Sequence, residues 1–398
     1  MTPEHGATAL EPIGPSTRER FLERLRAEMA AEGLDALLLL DMHDVVWLTG
    51  FVHAPSERPI GVHLPIDGEP ALFVPLLERE HAEAGWVRLV ECYEEFPGEV
   101  PAAVWMLQRI RRRQPGVRRV GIDALDASLL DAARAEVPGL RISRAAERVR
   151  AVKEPEELAL IRAAARHADR CLDAILDTGA DVWAAGGSEI DLLEAGLAAA
   201  RALQAAELGD RFAPGKVAVV GTAHSGPRAA LPHGRTSDRR PLPGDVLIAG
   251  IGAAVGGYHA ESGATFVFGE PSADQRRCLA AAQACNDAAI AALVPGARCA
   301  AVNQAGLAEL RAAGLGDAIR HRVGHGMGIQ GHEAPWLAPG DDTPVAAGMV
   351  FSNEPGIYRP GLDGYRTINS MIVTAAGVEV PSTFQARMPW ERRVLAAR

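Results

Sequence analysis

No run of this chain is apolar over enough residues to cross a bilayer, and no surplus of basic residues is available to neutralise a phosphate backbone. Acidic residues outnumber basic ones 51 to 41, leaving a formal charge of −10. That balance argues against nucleic acid as a partner. The one basic run, "RIRRRQPGVRR" at 109 to 119, reads as the solvated end of a helix and the turn behind it. Cysteine is also scarce: five residues, an odd number, with no CxxC pair. Cys278 and Cys285 lie a heptad apart in an Ala-rich segment, so they read as buried packing thiols. The first twenty residues carry acids and prolines where a secretory segment needs an apolar stretch. A reducing, cytoplasmic setting without membrane contact is the expectation.

What is present is enough for two domains: 398 residues, 48% apolar and 23% charged. Residues 1–15 read as a disordered lead-in, 16–150 as an α/β domain and 151–398 as an α+β domain. In the first domain a helix starts at Ser16, with Ser16 as its cap, and ends at Gly33. "LDALLLLD" and "VVWLTGF" read as strands, and Asp67-Gly68 as the turn of a hairpin. A helix near 100–113 and the strands "RRVGIDA" and "LRISRA" follow. The second domain opens with two long helices, one with Pro155 in its first turn. Strands then dominate: "KVAVVGT", "DVLIAGIG", "GATFVFG", "GMVFSNEP" and "TINSMIVT", interrupted by helices at about 272–293 and 301–313.

Unusual chemistry gathers in the strand-rich part. "LPHGRTSDRRPLPGD" presents His233, and "GGYHAES" presents Tyr258, His259 and Glu261. "HRVGHGMGIQGHEAPW" presents His325 and His332, and "SNEPGIYRPGLDGYRTIN" presents Glu354 and Arg366. Each segment alone has a bland reading: a histidine near a turn, a glutamate ending a strand, a bulged glycine-rich strand. Together they place histidines and carboxylates at strand ends beside glycines that permit close backbone approach, as a catalytic pocket requires.

The ordered set "PH…PGD…GGYHAE…HRVGHGMGIQGHEAP…FSNEPGIY…GYR" resembles the creatinase/aminopeptidase P/prolidase family. "VVWLTGF" resembles its N-terminal domain and "RAVKEPEELALIRAAA" its inter-domain junction. The resemblance implies an α/β N-terminal domain and a pita-bread catalytic domain. Most peptidases of the family hold two divalent metals through two Asp, one His and two Glu. Those positions fall here on Gly250, Glu261, His325, Glu354 and Ile368, so two of the five offer no oxygen. Three ligands are too few for two hard cations.

The resemblance therefore points to the metal-independent, creatinase-like branch, with no cofactor expected. The alternative is one divalent metal at Glu261, His325 and Glu354. The expected activity is hydrolysis of a C–N bond in a small cationic amide, guanidino or amidino compound, because acids in a dry cavity need a positive partner. His233 would be the general base and acid, and His325 and His332 would stabilise the oxyanion. Glu261 and Glu354 would bind the cation, Tyr258 and His259 would line the substrate site, and Arg366 would hold a substrate carboxylate or a structural acid. Family resemblance also implies a homodimer in which Arg58 of one subunit's N-terminal domain reaches the other's pocket. A mononuclear Xaa-Pro peptidase, a lyase or ring-opening enzyme, and a non-catalytic binding protein remain open. Gly263 and Ala264 depart from the creatinase pattern, which puts creatine itself in doubt.

Overall fold

The computed structural model describes residues 10–213 and 215–396. Residues 1–9 of the expected lead-in lie outside the described residues. The chain divides into two compact units, Ile13–Arg150 and a second beginning at Ala151.

In the N-terminal unit α1 (Pro15–Glu32) is followed by β1 (Ala36–Leu39), α2 (Met42–Thr49), β2 (Gly61–Pro65) and β3 (Ala71–Pro75). Then come α3 (Arg79–Glu83), β4 (Leu89–Tyr93), α4 (Ala102–Arg113), β5 (Val120–Ile122), α5 (Leu130–Glu136), β6 (Arg141–Ile142) and α6 (Ala145–Ala151). The strands form one mixed sheet in the order β4-β3-β2-β1-β5-β6. β2 and β3 pair antiparallel around the Asp67-Gly68 turn, as their sequence indicates. α4 buries Val104, Met106, Leu107 and Ile110. Each such side chain contributes about 1.5–3 kcal/mol on leaving water.

Two local expectations fail here. "VVWLTGF" is mostly helix α2: the Asp41 carboxylate accepts the amides of His43 and Asp44 at the N-terminus, and Gly50 turns left-handed (φ 70°) at the C-terminus. Those end signals outweigh the β-propensity of two valines and a tryptophan. α1 begins with Pro15 in its first turn and Gly14 as cap, so Ser16 lies inside the helix and does not cap it.

The C-terminal unit starts with α7 (Pro155–Ala184) and α8 (Glu189–Leu208), continues through β7 (Ala218–Ser225), β8 (Val246–Val255) and β9 (Tyr258–Phe268), and adds α9 (Ala273–Ala292) and α10 (Cys299–Ala312). Then follow β10 (Gly324–Gly326), β11 (Glu333–Leu337), β12 (Val350–Asn353), β13 (Gly356–Arg359), β14 (Asp363–Arg366) and β15 (Ile368–Thr374). The main sheet runs β11-β10-β12-β15-β9-β8-β7, antiparallel at each of these junctions, and β13-β14 is a separate hairpin. α7 and α8 pack on β7–β9, while α9 and α10 pack on β12 and β11. This is the α+β layout expected of a pita-bread domain.

Cys278, Cys285 and Cys299 are buried on α9 and α10, in one apolar cluster with Phe351 and Tyr358. Burial raises all three thiols, Cys285 and Cys299 to about 12, so they are packing groups rather than nucleophiles.

Candidate active site

The centre of the large sheet gathers the polar residues. Glu261 stands on β9 opposite Gly252 of β8. Its Oε2 accepts from Ser352 Oγ at 2.8 Å, and its backbone N–H donates to Ser370 Oγ at 2.8 Å. His325, completely buried on β10, donates Nδ1–H to Gly326 O at 3.0 Å. That bond turns Nε2 toward Glu354 Oε1 at 3.5 Å and Glu261 Oε2 at 3.8 Å. Both approaches are too long for a well-formed hydrogen bond, and Nε2 is buried without a partner. The His332 ring stacks on His325, with centroids 3.7 Å apart and an interplanar angle of 15°.

His325 is held there by a crowded bulge. β10 runs between β11 and β12, and its register with β11 shifts between His325 and Gly326. A Cβ on Gly324 would lie 1.9 Å from Ser352 O. The "GHGMG" run is therefore a bulged strand whose first glycine is required by packing.

His233, Glu261, His332, Glu354 and Arg366 line one cavity of about 510 Å³, with Gly250, Ile251, Gly252 and Ile368 as part of its wall. His233 is exposed toward it. Other expected residues lie elsewhere. Tyr258 is buried and hydrogen-bonds with Glu157 of α7, away from the cavity. His259 does not line it either, and its backbone N–H bonds to Gly328 O at 2.8 Å. Arg58 is engaged within its own unit by Glu57 and by Glu95, the latter at 2.8 Å.

The acids of the cavity are electrostatically tied to neighbouring groups of the chain. Burial works to raise Glu354, but the close His325 imidazole and the Arg366 charge outweigh it and hold the carboxyl at about 2. Burial and the neighbouring Glu354 charge push Glu261 upward. Burial works to lower His325, yet the two carboxylates prevail and raise it. Burial and the His325 charge lower His332 to about 4, so it stays neutral at pH 7. The chain thus supplies its own counter-charges. Arg235 and Arg366 also stand on the wall.

The family's metal pair does not fit these residues. Gly250, Gly263 and Ile368 form one row across β8, β9 and β15. A Cβ on Gly263 would meet Ile368 Cδ1 at 2.5 Å, and a Cβ on Gly250 would meet Arg366 Nη2 at 2.8 Å and Ile368 Cδ1 at 3.4 Å. An apolar side chain and a guanidinium therefore occupy the space where ligand oxygens would stand. Donor atoms of Glu261, His325 and His332 lie within 4.8 Å of one another, so these residues are candidates to hold a single ion, with His325 Nε2 among the donors. Glu354, the third ligand of the single-metal alternative read from the sequence, sits beside the cluster with Oε1 3.5 Å from His325 Nε2.

The sequence reading missed Leu193, Thr222, Arg235 and Thr236, which complete the cavity wall. It also missed the support behind it. Lys153 Nζ pairs with Glu333 Oε1 at 2.8 Å, both almost fully buried, and so ties the strand after His332 to the segment preceding α7. None carries a local motif, because each is placed by strand pairing between distant segments.

Comparison with known proteins agrees with this architecture. Residues 159–375 match the model of metallopeptidase family M24, and residues 22–153 match the creatinase/prolidase N-terminal domain. "Probable dipeptidase PepE" of Mycobacterium bovis is 31% identical over 364 residues, covering 90% of this chain and 92% of that protein. A Xaa-Pro dipeptidase of Lactobacillus delbrueckii subsp. lactis is 27% identical, over 89% of this chain and 95% of its own length. The crystal structure of dipeptidase PepE from Mycobacterium ulcerans superposes with a TM-score of 0.83 at 27% identity, covering 97% of this chain and all of that one. Both halves of the resemblance read from the sequence, the N-terminal domain and the pita-bread domain, are thereby shown. No described helix is long and apolar enough to cross a membrane.

Proposed function

Because the chain belongs to metallopeptidase family M24, we propose that it is an amide hydrolase of the dipeptidase kind that works with one divalent ion in place of a pair. The observation that carries this reading is the cluster of Glu261, His325 and His332 around a buried imidazole nitrogen with no hydrogen-bond partner. The relatives named as dipeptidases support a peptide-like substrate over a small cationic amide. The non-peptidase activity expected from the sequence is set aside on these grounds.

When bound, the ion supplies Lewis acidity and an activated water. Glu261, His325 and His332 would hold it. Glu354, ionised at neutral pH, is positioned to accept a proton from the attacking water. His233, on the open wall, is positioned to hand a proton to the leaving nitrogen. The neutral His332 has a lone pair free for a ligand, whereas His325 must release a proton to bind one.

A metal-free reading keeps one specific support, the replacement of two ligand positions by Gly250 and Ile368. The two readings separate in one assay. Purified protein is offered Xaa-Pro and other dipeptides, with and without chelator, then re-supplied with Mn²⁺. The proposal expects hydrolysis that chelation abolishes and Mn²⁺ restores. Hydrolysis that persists in chelator would replace it with metal-free catalysis through His233.

A further inference from the structure

Arg366 is an anomaly within this cavity. It is 7% exposed, and among the described residues no carboxylate lies within 4.0 Å of its guanidinium. Nη1 donates to Pro232 O at 3.1 Å, the group bonds with the Tyr358 phenol, and Nε is buried with no partner. Its charge acts on Glu354 across the cavity, but no carboxylate touches the guanidinium, and a buried cation paired only at a distance is completed in natural sites by an anion in contact. The backbone here is fixed to keep the group in place: Arg366 N–H donates to Thr265 Oγ1 at 2.9 Å, and Thr265 Oγ1 donates to Arg366 O at 3.0 Å.

Gly250 supplies the second half of the arrangement. Nη2 lies directly over it, where a Cβ would come within 2.8 Å. An aspartate at 250 would place its carboxylate against the guanidinium and consume its charge. With glycine there, the charge faces the cavity wall unspent. The other acids cannot substitute, since Glu261 and Glu354 are turned toward His325.

We propose that Gly250 and Arg366 together form an anion subsite that binds the carboxylate of the substrate through Nη2. The inference rests on the dipeptide reading for the identity of that carboxylate, a free C-terminus close to the scissile bond. It would limit the enzyme to very short peptides, because a longer chain or a C-terminal amide leaves the guanidinium unpaired.

Binding rather than turnover tests the subsite, so that it stands or falls apart from the hydrolysis reading. N-acetylproline and N-acetylprolinamide, which differ only in the terminal charge, are titrated calorimetrically into the full chain. Wild type is expected to prefer the acid by about 10- to 100-fold, the range of a charge-assisted hydrogen bond. Arg366→Met should lose that preference, Arg366→Lys should keep part of it, and Gly250→Asp should lose it through internal pairing while Arg366 is still present. Melting curves identify any variant that fails to fold, and the Gly250→Asp and Arg366→Lys arms remain informative if Arg366→Met does fail. Equal affinity of wild type for acid and amide, binding of neither, or an undiminished preference in folded Arg366→Met would each overturn the subsite. Acid preference without dipeptide hydrolysis would leave the subsite standing and remove the hydrolase reading instead.

Discussion

Replacing Glu157 with glutamine should make the protein markedly less sensitive to alkali. Glu157 lies in the first turn of α7 and is completely buried; its Oε2 accepts the Glu154 amide at 2.7 Å, and it hydrogen-bonds with Tyr258 at the start of β9. Burial pushes its carboxyl from 4.5 to about 7. Between those values the folded chain holds a proton that the unfolded chain has released. Stability from this group is therefore fully present below pH 4.5, declines as pH rises, and has reached its minimum above pH 7. A shift of about 2.5 units at about 1.36 kcal/mol per unit gives a loss of about 3 kcal/mol. Glu157→Gln keeps the size and an amide oxygen to accept the same backbone bond, but does not titrate. Urea unfolding of both proteins at pH 5 and pH 8 measures the difference directly. Asp44 and Asp123 are also buried acids with raised pKa values, and their contribution is common to both proteins and cancels. Between pH 5 and pH 8 the variant should lose about 2.5 kcal/mol less than wild type, since part of the change already falls below pH 5. Parallel profiles would refute the reasoning.

Lys153→Met strips the counter-charge from Glu333, which stays 4% exposed, and should cost about 3–5 kcal/mol. Thermal melting should show it, and Lys153→Met combined with Glu333→Leu should recover much of the loss. Gly324→Ala places a Cβ against Ser352 O and should expel β10 from its slot, with loss of metal affinity measured by calorimetry alongside the melting temperature. His233→Ala should lower kcat on a dipeptide about 100- to 10,000-fold while leaving Mn²⁺ content and melting unchanged. A normal kcat would remove His233 from the proton-transfer role.

Much of the fold was legible because the helices and strands of the second unit carry strong local signals. Pro155 opens α7. Ser188 caps α8 through a reciprocal bond with Asp191. The long apolar alternation of "DVLIAGIG" becomes β8. Short elements carry weaker local signals for the converse reason. β10 is three residues long and exists through pairing on both sides, and β13 and β14 close on each other across a loop without an apolar pattern. The VVWLTGF segment misled because residue propensity was weighed above its Asp41 and Gly50 end signals.

The site divides the same way. Glu261, His325, His332 and Glu354 were visible as rare polar residues among glycines, and strand pairing brings them together. Tyr258 belongs to the same segment as Glu261, but its side chain is committed to α7 and Glu157. Strand alternation explains this, since neighbouring strand residues point to opposite faces. The relatives named as dipeptidases favour the peptidase alternative over the creatinase-like reading, and charge balance is a property of the assembled cavity. From sequence alone neither the approach of His325 to both acids nor the position of Arg366 over Gly250 could be computed.

The number of divalent ions this pocket holds decides between a single-ion site and the family's pair. Elemental analysis of the protein saturated with Mn²⁺ and freed of excess by dialysis settles the number. One ion per chain is predicted, lost when His325→Ala removes the central nitrogen. Two ions per chain would show that Gly250, Ile368 and Arg366 do not exclude a pair, and none would show that Glu261, His325 and His332 are no metal site.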